Sequence, residues 1–270
     1  MLDIKGYRKT FNPGTPNEIR ALDGLDLTVS DGSFVVVIGT NGSGKSTLQN
    51  AIAGGFLPDE GKITLAGADI TRWPEHRRAR HIGRVFQNPF SGTAPGMTIA
   101  ENFAMAARRG RFQGLMPALS RRFRDSFRDR VSSLRMGLED RLDTEIGGLS
   151  GGQRQALTLL MATWIRPELL LLDEHTAALD PRSADRIIEL TSQLVREGKL
   201  TTIMVTHSMS QAANLGDRLV MMHRGRAIRD FSGADKARLR LEDLLAHFDD
   251  LRRRESLDQG AADLLRDTYI

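Results

Sequence analysis

Apolar and polar residues alternate along residues 1–30, and the string NPGTPN at Asn12–Asn17 interrupts them. That alternation predicts strands, and the Pro- and Gly-rich break predicts a loop between them. Phe34–Ile38 (FVVVI) is a continuous β-branched run ending in a Gly-rich turn, the pattern of a strand buried on both faces. Leu169–Leu172 (LLLL) and Thr201–Val205 (TTIMV) read the same way. Helical spacing separates these runs, from Ser46 to about Ala53 and around Ala184–Val195. Strands alternating with helices predict an α/β fold with a mainly parallel sheet, and the N-terminal strands predict an antiparallel β subdomain beside it.

Residues from about 90 to 148 break that rhythm. Leu119, Phe123, Phe127, Val131, Leu134 and Leu138 recur at spacings of three and four, with Ser120 placed as a helix N-cap. The segment reads as a helical subdomain inserted into a domain spanning 1–236. From about Ala237 the pattern returns with Leu241, Leu244, Leu245, Phe248 and Leu251, so 237–270 reads as a helical tail that ends in charge.

No stretch approaches the roughly 18 apolar residues of a membrane span. The opening MLDIKGYRKTF has no apolar core of a secretory signal, so no export is expected. Cysteine is absent, which excludes a disulfide framework, a thiolate nucleophile and a Cys-ligated metal. The net charge is +4 and the pI about 9.7, which leaves room for nucleic acid, an anionic membrane surface or a phosphate-rich ligand. Basic residues crowd one stretch: Arg108, Arg109, Arg111, Arg121, Arg122, Arg124, Arg128, Arg130 and Arg135, against Asp125 and Asp129. Two readings stand for it, a solvated helix face or a surface near lipid headgroups or an acidic partner.

Between the predicted strand at 34–38 and the following helix lies Gly39-Thr40-Asn41-Gly42-Ser43-Gly44-Lys45-Ser46-Thr47, a complete G-x-x-x-x-G-K-[ST] string in the context it requires. Glycines there let backbone N–H groups face phosphate oxygens without obstruction by a Cβ, and a helix N-terminus adds partial positive charge. Lys45 is placed to reach the β- and γ-phosphates of ATP, and Ser46, with Thr47 beside it, to offer a hydroxyl to Mg²⁺. Farther on, Leu169–Leu172 runs into Asp173 and Glu174, two acids at the carboxyl edge of a buried strand, where open parallel sheets bind ligands. Asp173 is the candidate Mg²⁺ ligand and Glu174 the candidate base for the attacking water. The pair makes this a P-loop NTPase core.

One further string narrows the family. Leu149-Ser150-Gly151-Gly152-Gln153 resembles the LSGGQ signature of the ABC ATPase family without a mismatch. Gln87 in VFQNP resembles the Q-loop glutamine, Ala178-Leu179-Asp180 the D-loop, and His207 in VTHS the H-loop histidine. The resemblance covers roughly residues 2–230. It implies that Gln87 touches Mg²⁺ or the lytic water, and that His207 binds the γ-phosphate and steadies Glu174. It implies that Ser150, Gly151, Gly152 and Gln153 meet the γ-phosphate held by a second copy or a sister ATPase, while Asp180 crosses to that partner's P-loop. For adenine stacking Phe11 leads and Tyr7 follows. The catalytic set is therefore Glu174, His207, Gln87 and Lys45.

The resemblance further implies transmembrane permease subunits as partners and a location on the cytoplasmic face of the membrane. The strings DEHTAALDP and KTFNPGTPNEIRALDGL are similar to a subgroup serving bacterial importers that use a periplasmic substrate-binding protein, described as handling aromatic or branched amino acids. His175 departs from the proline commoner in the family, and Ala177 from a small polar residue. Two alternatives remain: an exporter subunit, or a soluble ABC ATPase acting on nucleic acid or the ribosome. A single motif set, and the short distance between Gln87 and Leu149, speak against the second, so no nucleic-acid partner is expected.

Overall fold

Val35 and Val37 pack into one hydrophobic core while Val36 and Ile38 pack into another, so the FVVVI run is covered on both faces. In the computed structural model, which describes residues 1–110 and 120–250, that run is β3 (Phe34–Gly39). Before it come β1 (Leu2–Phe11) and β2 (Ile19–Val29). After it follow α1 (Lys45–Ala53), β4 (Glu60–Leu65), β5 (Ala68–Asp69), α2 (Glu75–Arg78), β6 (Ile82–Val85), α3 (Ile99–Ala107) and α4 (Arg121–Ser132). The chain continues through α5 (Gly151–Trp164), β7 (Leu169–Asp173), α6 (Pro181–Gly198), β8 (Thr202–Val205) and α7 (Met209–Asn214). It closes with β9 (Arg218–His223), β10 (Arg226–Ser232), α8 (Gly233–Arg238) and a helical stretch at 241–250.

A six-stranded sheet has the order β10-β9-β3-β8-β7-β6, parallel from β9 to β6 with β10 antiparallel at one edge. A second, antiparallel sheet has the order β2-β1-β4-β5. Its first two strands come from the alternating N-terminal segment, as expected. Its other two arrive from beyond α1, because β1 offers one edge to β2 and the other to β4.

The first core lies between the two sheets around α1, with Leu2, Ile4, Leu25 and Ile63 against Val35, Leu171 and Ile203. Tyr7 is 1% exposed within it, so the second candidate for adenine stacking is a core residue, and burial pushes its phenol up to about 12. The second core covers the other face of the large sheet with Leu170, Leu172, Met204 and Met221.

A third core joins α3 and α4 to α5 and the start of α6. Phe103 and Trp164 meet the ring of Phe127 at 5.0 and 4.9 Å, and Leu157, Leu160 and Ile187 complete the cluster. Each such side chain contributes about 1.5–3 kcal/mol by burial. Of the predicted apolar series, Phe123, Phe127 and Val131 lie on α4 and Leu119 lies outside the described residues. Leu134 and Leu138 are buried but not helical, because the chain leaves α4 at Ser133 and Arg135 takes a left-handed φ of 52°. Ser120 occupies the N-cap position, yet its hydroxyl makes no capping bond. Thr98 caps α3 instead, in a reciprocal box with Glu101.

The arginine cluster is not one surface. Arg109 is turned inward onto the carbonyls of Ala162 and Ile165, and Arg124 pairs with Asp143 at 2.5 Å, while Arg121, Arg122, Arg128 and Arg130 are exposed. Arg111 lies outside the described residues. In the C-terminal stretch Leu244 and Phe248 are buried in the second core and Leu241 and Leu245 are exposed; Leu251 falls beyond the description. No helix among the described residues is long and apolar enough to cross a membrane.

Candidate nucleotide site

Residues 39–44 link the end of β3 to the start of α1, and a hollow of about 340 Å³ opens over them. Asn41 to Thr47 line it together with Phe11, Ile19, Ala21 and His207. Glycine is required at two positions. A Cβ on Gly39 would come 2.3 Å from the Met222 carbonyl oxygen, and Gly44 sits at φ 100° with the Ala21 oxygen 2.5 Å from where a Cβ would stand. The loop is braced from outside by the β9–β10 turn, where the Gly225 N–H donates to the Ser43 carbonyl at 3.0 Å.

Lys45, the first residue of α1, is 5% exposed. Its Nζ donates to the carbonyls of Gly39 at 2.8 Å and Thr40 at 3.0 Å, which curls the ammonium under the loop. Burial lowers its pKa, and the charges of Glu174 and Asp173 act against that fall. Ser43 Oγ is buried and, among the described residues, has no hydrogen-bond partner. A buried hydroxyl and an ammonium beside a glycine-lined helix start form a cradle for phosphate oxygens.

Asp173 ends β7, and Glu174 follows with a left-handed φ of 44°. That conformation is strained for a non-glycine residue, and the Glu174 N–H is held by the Val205 carbonyl at 3.0 Å. Burial raises the pKa of Asp173, and Arg84 at 3.8 Å opposes the rise. The Glu174 carboxylate is bracketed: His207 Nε2 lies 2.7 Å from Oε1, and the Gln87 side-chain amide donates to Oε2 at 3.4 Å. Gln87 follows β6, Glu174 follows β7 and His207 follows β8, so the three come from the carboxyl ends of neighbouring parallel strands.

Phe11, at the end of β1, stands at the rim of the same hollow and meets Phe56 edge-on at 5.3 Å. Ser150 caps α5 by accepting from the Gln153 N–H at 3.3 Å while the Gln153 side chain accepts from the Ser150 N–H at 3.2 Å. Ser150 to Gln153 do not line the hollow at residues 41–47. Gly152 packs where α5 crosses α6, since a Cβ there would lie 2.8 Å from Ser183 Oγ. Asp180 caps α6 by accepting from the Ser183 N–H at 3.0 Å.

Several supporting residues carry no motif. Gln49 donates to the Leu172 carbonyl at 2.8 Å, tying α1 to β7 beneath Asp173. Arg84 spans from Asp173 to Asn50 Oδ1 at 2.7 Å. Gln155 donates to the Phe86 carbonyl at 3.1 Å, beside Gln87. His175, fully buried, shares a 2.9 Å hydrogen bond with Thr191 of α6. No local pattern announces these contacts; only polar side chains in otherwise apolar surroundings hint at them.

The donor set suits Mg²⁺. Among the described residues no three His, Cys, Asp or Glu side chains gather as a protein-only metal cage. One hydroxyl, one carboxylate and one amide oxygen fit an ion that keeps waters and phosphate oxygens as its other ligands.

The family model for ABC transporters matches residues 22–177. A tyrosine transport ATP-binding protein of Clostridioides difficile is 43% identical over 92% of this chain and 99% of its own length. The lipoprotein-releasing system ATP-binding protein LolD 1 of Caulobacter vibrioides is 37% identical over 82% of this chain and 92% of its own. An energy-coupling factor transporter ATP-binding protein of Bacillus subtilis is 35% identical over 77% of this chain and 71% of its own. Among solved structures, a dimeric ATP-binding cassette in a post-hydrolysis state with ADP and Pi superposes with a TM-score of 0.73 at 27% identity, covering 86% of this chain and 98% of that one. With the phosphate cradle, the acidic strand end and the LSGGQ helix cap in one chain, this protein belongs to the ABC transporter family as an ATP-binding, ATP-hydrolysing subunit.

Proposed function

We propose that the chain powers import of an amino acid or a similar small organic solute, from the cytoplasmic face of the membrane and bound to permease subunits. The observation that carries this reading is the 43% identity, over nearly the full length of both chains, to a protein named for tyrosine transport. The subgroup strings DEHTAALDP and KTFNPGTPNEIRALDGL point the same way.

In this reading ATP lies in the hollow over residues 41–47 with its base on Phe11. Lys45 and the loop N–H groups bind the β- and γ-phosphates. Ser46, Asp173 and Gln87 hold Mg²⁺, which when bound neutralises phosphate charge. Glu174 orients the attacking water and takes its proton, and His207 holds the Glu174 carboxylate in register with the γ-phosphate. Ser150, Gly151, Gly152 and Gln153 present the N-terminus of α5 to the nucleotide of a second ATPase subunit, with Asp180 beside them. Closure of two such subunits on ATP, and reopening after hydrolysis, would drive the permease, and a periplasmic binding protein would deliver the solute.

The test is reconstitution of this chain with candidate permease and substrate-binding-protein subunits. ATP-dependent accumulation of an aromatic or branched amino acid inside right-side-out vesicles loaded with ATP supports the reading. ATP-dependent extrusion, or release of a lipid-anchored protein, replaces it with the export alternative.

A further inference from the structure

α7, only Met209–Asn214, reaches the turns that follow β7 and β8 and bear the candidate catalytic pair. Gln211 on this helix accepts from Thr206 Oγ1 at 2.7 Å through Oε1 and donates to Thr176 Oγ1 at 3.0 Å through Nε2. Thr206 immediately precedes His207, and Thr176 follows Glu174 by two residues. Thr206 Oγ1 also accepts the Ser208 N–H at 3.1 Å, so the turn carrying His207 is held on both sides. Both threonines are buried, at 4% and 7% exposure. An amide can donate to one hydroxyl while accepting from another, which an apolar side chain cannot do.

The helix itself is clamped from the C-terminal part of the chain. Ala212 is fully buried in the second core, with Met209 and Ala213 against the same cluster as Leu244 and Phe248 of 241–250. Lys236 of α8 is 5% exposed, and its ammonium donates to the Ala213 carbonyl at 2.6 Å. Carbonyls of a last helical turn lack intrahelical partners, and a cation there suits the negative end of the helix.

We propose that Gln211 is a positioning residue for ATP hydrolysis: it locks the His207 turn to the Glu174 turn, and Lys236 keeps α7 in place to do so. The inference rests on the roles given above to Glu174 and His207. It gives the segment from α8 to residue 250 a part in catalysis, through α7, rather than that of a cover alone. Misplacing His207 against Glu174 slows the chemical step without touching the phosphate cradle, which α7 does not build.

The experiment is steady-state ATP hydrolysis by the full-length chain assembled with its permease. Gln211→Leu is expected to lower kcat about 10- to 100-fold with KM for ATP unchanged. Gln211→Glu keeps acceptors for both threonine hydroxyls and should recover most of the rate. Lys236→Met should lower kcat in the same direction and Lys236→Arg restore it. The double variant His207→Ala/Gln211→Leu should be no slower than His207→Ala alone. Native kcat in Gln211→Leu beside a slow His207→Ala overturns the inference and leaves the roles of His207 and Glu174 standing. Native kcat in His207→Ala overturns both. Multiplying losses in the double variant, or a raised KM in Gln211→Leu, also overturn it. If Gln211→Leu does not fold, Thr176→Val, which removes one arm of the bridge, is read by the same criteria with Thr176→Ser as its rescue.

Discussion

His207 Nε2 stands 2.7 Å from Glu174 Oε1, a contact between residues on neighbouring strand ends that fixes one carboxylate oxygen and leaves Oε2 to the weaker approach of Gln87 at 3.4 Å. That geometry suits a base held by one oxygen and presented to water by the other. Glu174→Gln is therefore expected to bind ATP as the native protein does and to lose about 10²–10⁴-fold in turnover, the size of a general-base contribution. Phosphate release measured beside nucleotide binding checks it. Native turnover in that variant would remove Glu174 from the role.

Lys45 loses solvent on folding and retains two carbonyls and a nearby acidic pair. Lys45→Ala should raise the Kd for ATP by about ten- to a hundredfold, from the loss of a charged hydrogen bond of about 1.5–3 kcal/mol. Titration with a fluorescent ATP analogue reads this directly, and an unchanged Kd would count against the cradle.

Phe11 and Tyr7 lie on one strand and separate cleanly. Phe11→Ala should weaken nucleotide binding by about 1–3 kcal/mol, the usual contribution of a base stacked on a ring. Tyr7→Phe should leave binding unchanged, because Tyr7 lies in the core and its hydroxyl has no partner there among the described residues. Equal losses in the two variants would contradict the placement.

Gly152 allows α5 to approach Ser183 of α6. Gly152→Ala should cost about 1–3 kcal/mol of stability through overpacking. It should also slow hydrolysis, while ATP binding to the isolated subunit stays normal. Chemical denaturation and equilibrium binding on the same preparation test both halves.

His175 is buried beside Thr191, and desolvation lowers its pKa from 6.5 to about 4. The folded state therefore binds this proton less readily than the unfolded chain. No stability is lost above pH 6.5; below it the unfolded chain gains the proton first, and stability falls until pH reaches about 4. The loss attributable to this group approaches about 3 kcal/mol. Urea unfolding of the nucleotide-free protein from pH 7 to pH 4, native against His175→Gln, should show the difference narrowing across that interval. A constant difference would mean that His175 is protonated in both states or in neither.

The parts of this protein that could be read in the chain are those whose cause is local. FVVVI and LLLL are buried on both faces and show as unbroken apolar runs; the glycines of residues 39–44 show because backbone must approach phosphate; Ser150 to Gln153 show because their signature is contiguous in the chain. β4 and β5 are not legible, since β4 is defined by pairing with β1 across α1 and β5 by pairing with β4. Arg84, Gln155 and Gln211 escaped notice for a related reason. Each reaches at least one partner distant in the chain, and a lone polar residue in a helix or short strand has no periodicity to reveal it. The series ending in Leu134 and Leu138 shows the opposite error, in which helical spacing continues past the end of the helix because the same core is filled by a following turn.

Ile203 in β8 pairs with Val35 of β3 on one side and Leu171 of β7 on the other. All three strands run in one direction, and each delivers a functional group a fixed number of residues later: the glycine loop, Glu174, His207. The centre of this enzyme thus behaves as three rulers read from a common zero mark. Lengthening a loop leaves the marks aligned, whereas one extra residue between Ile203 and His207 would turn the imidazole toward the opposite face of the sheet and unmake the pair with Glu174.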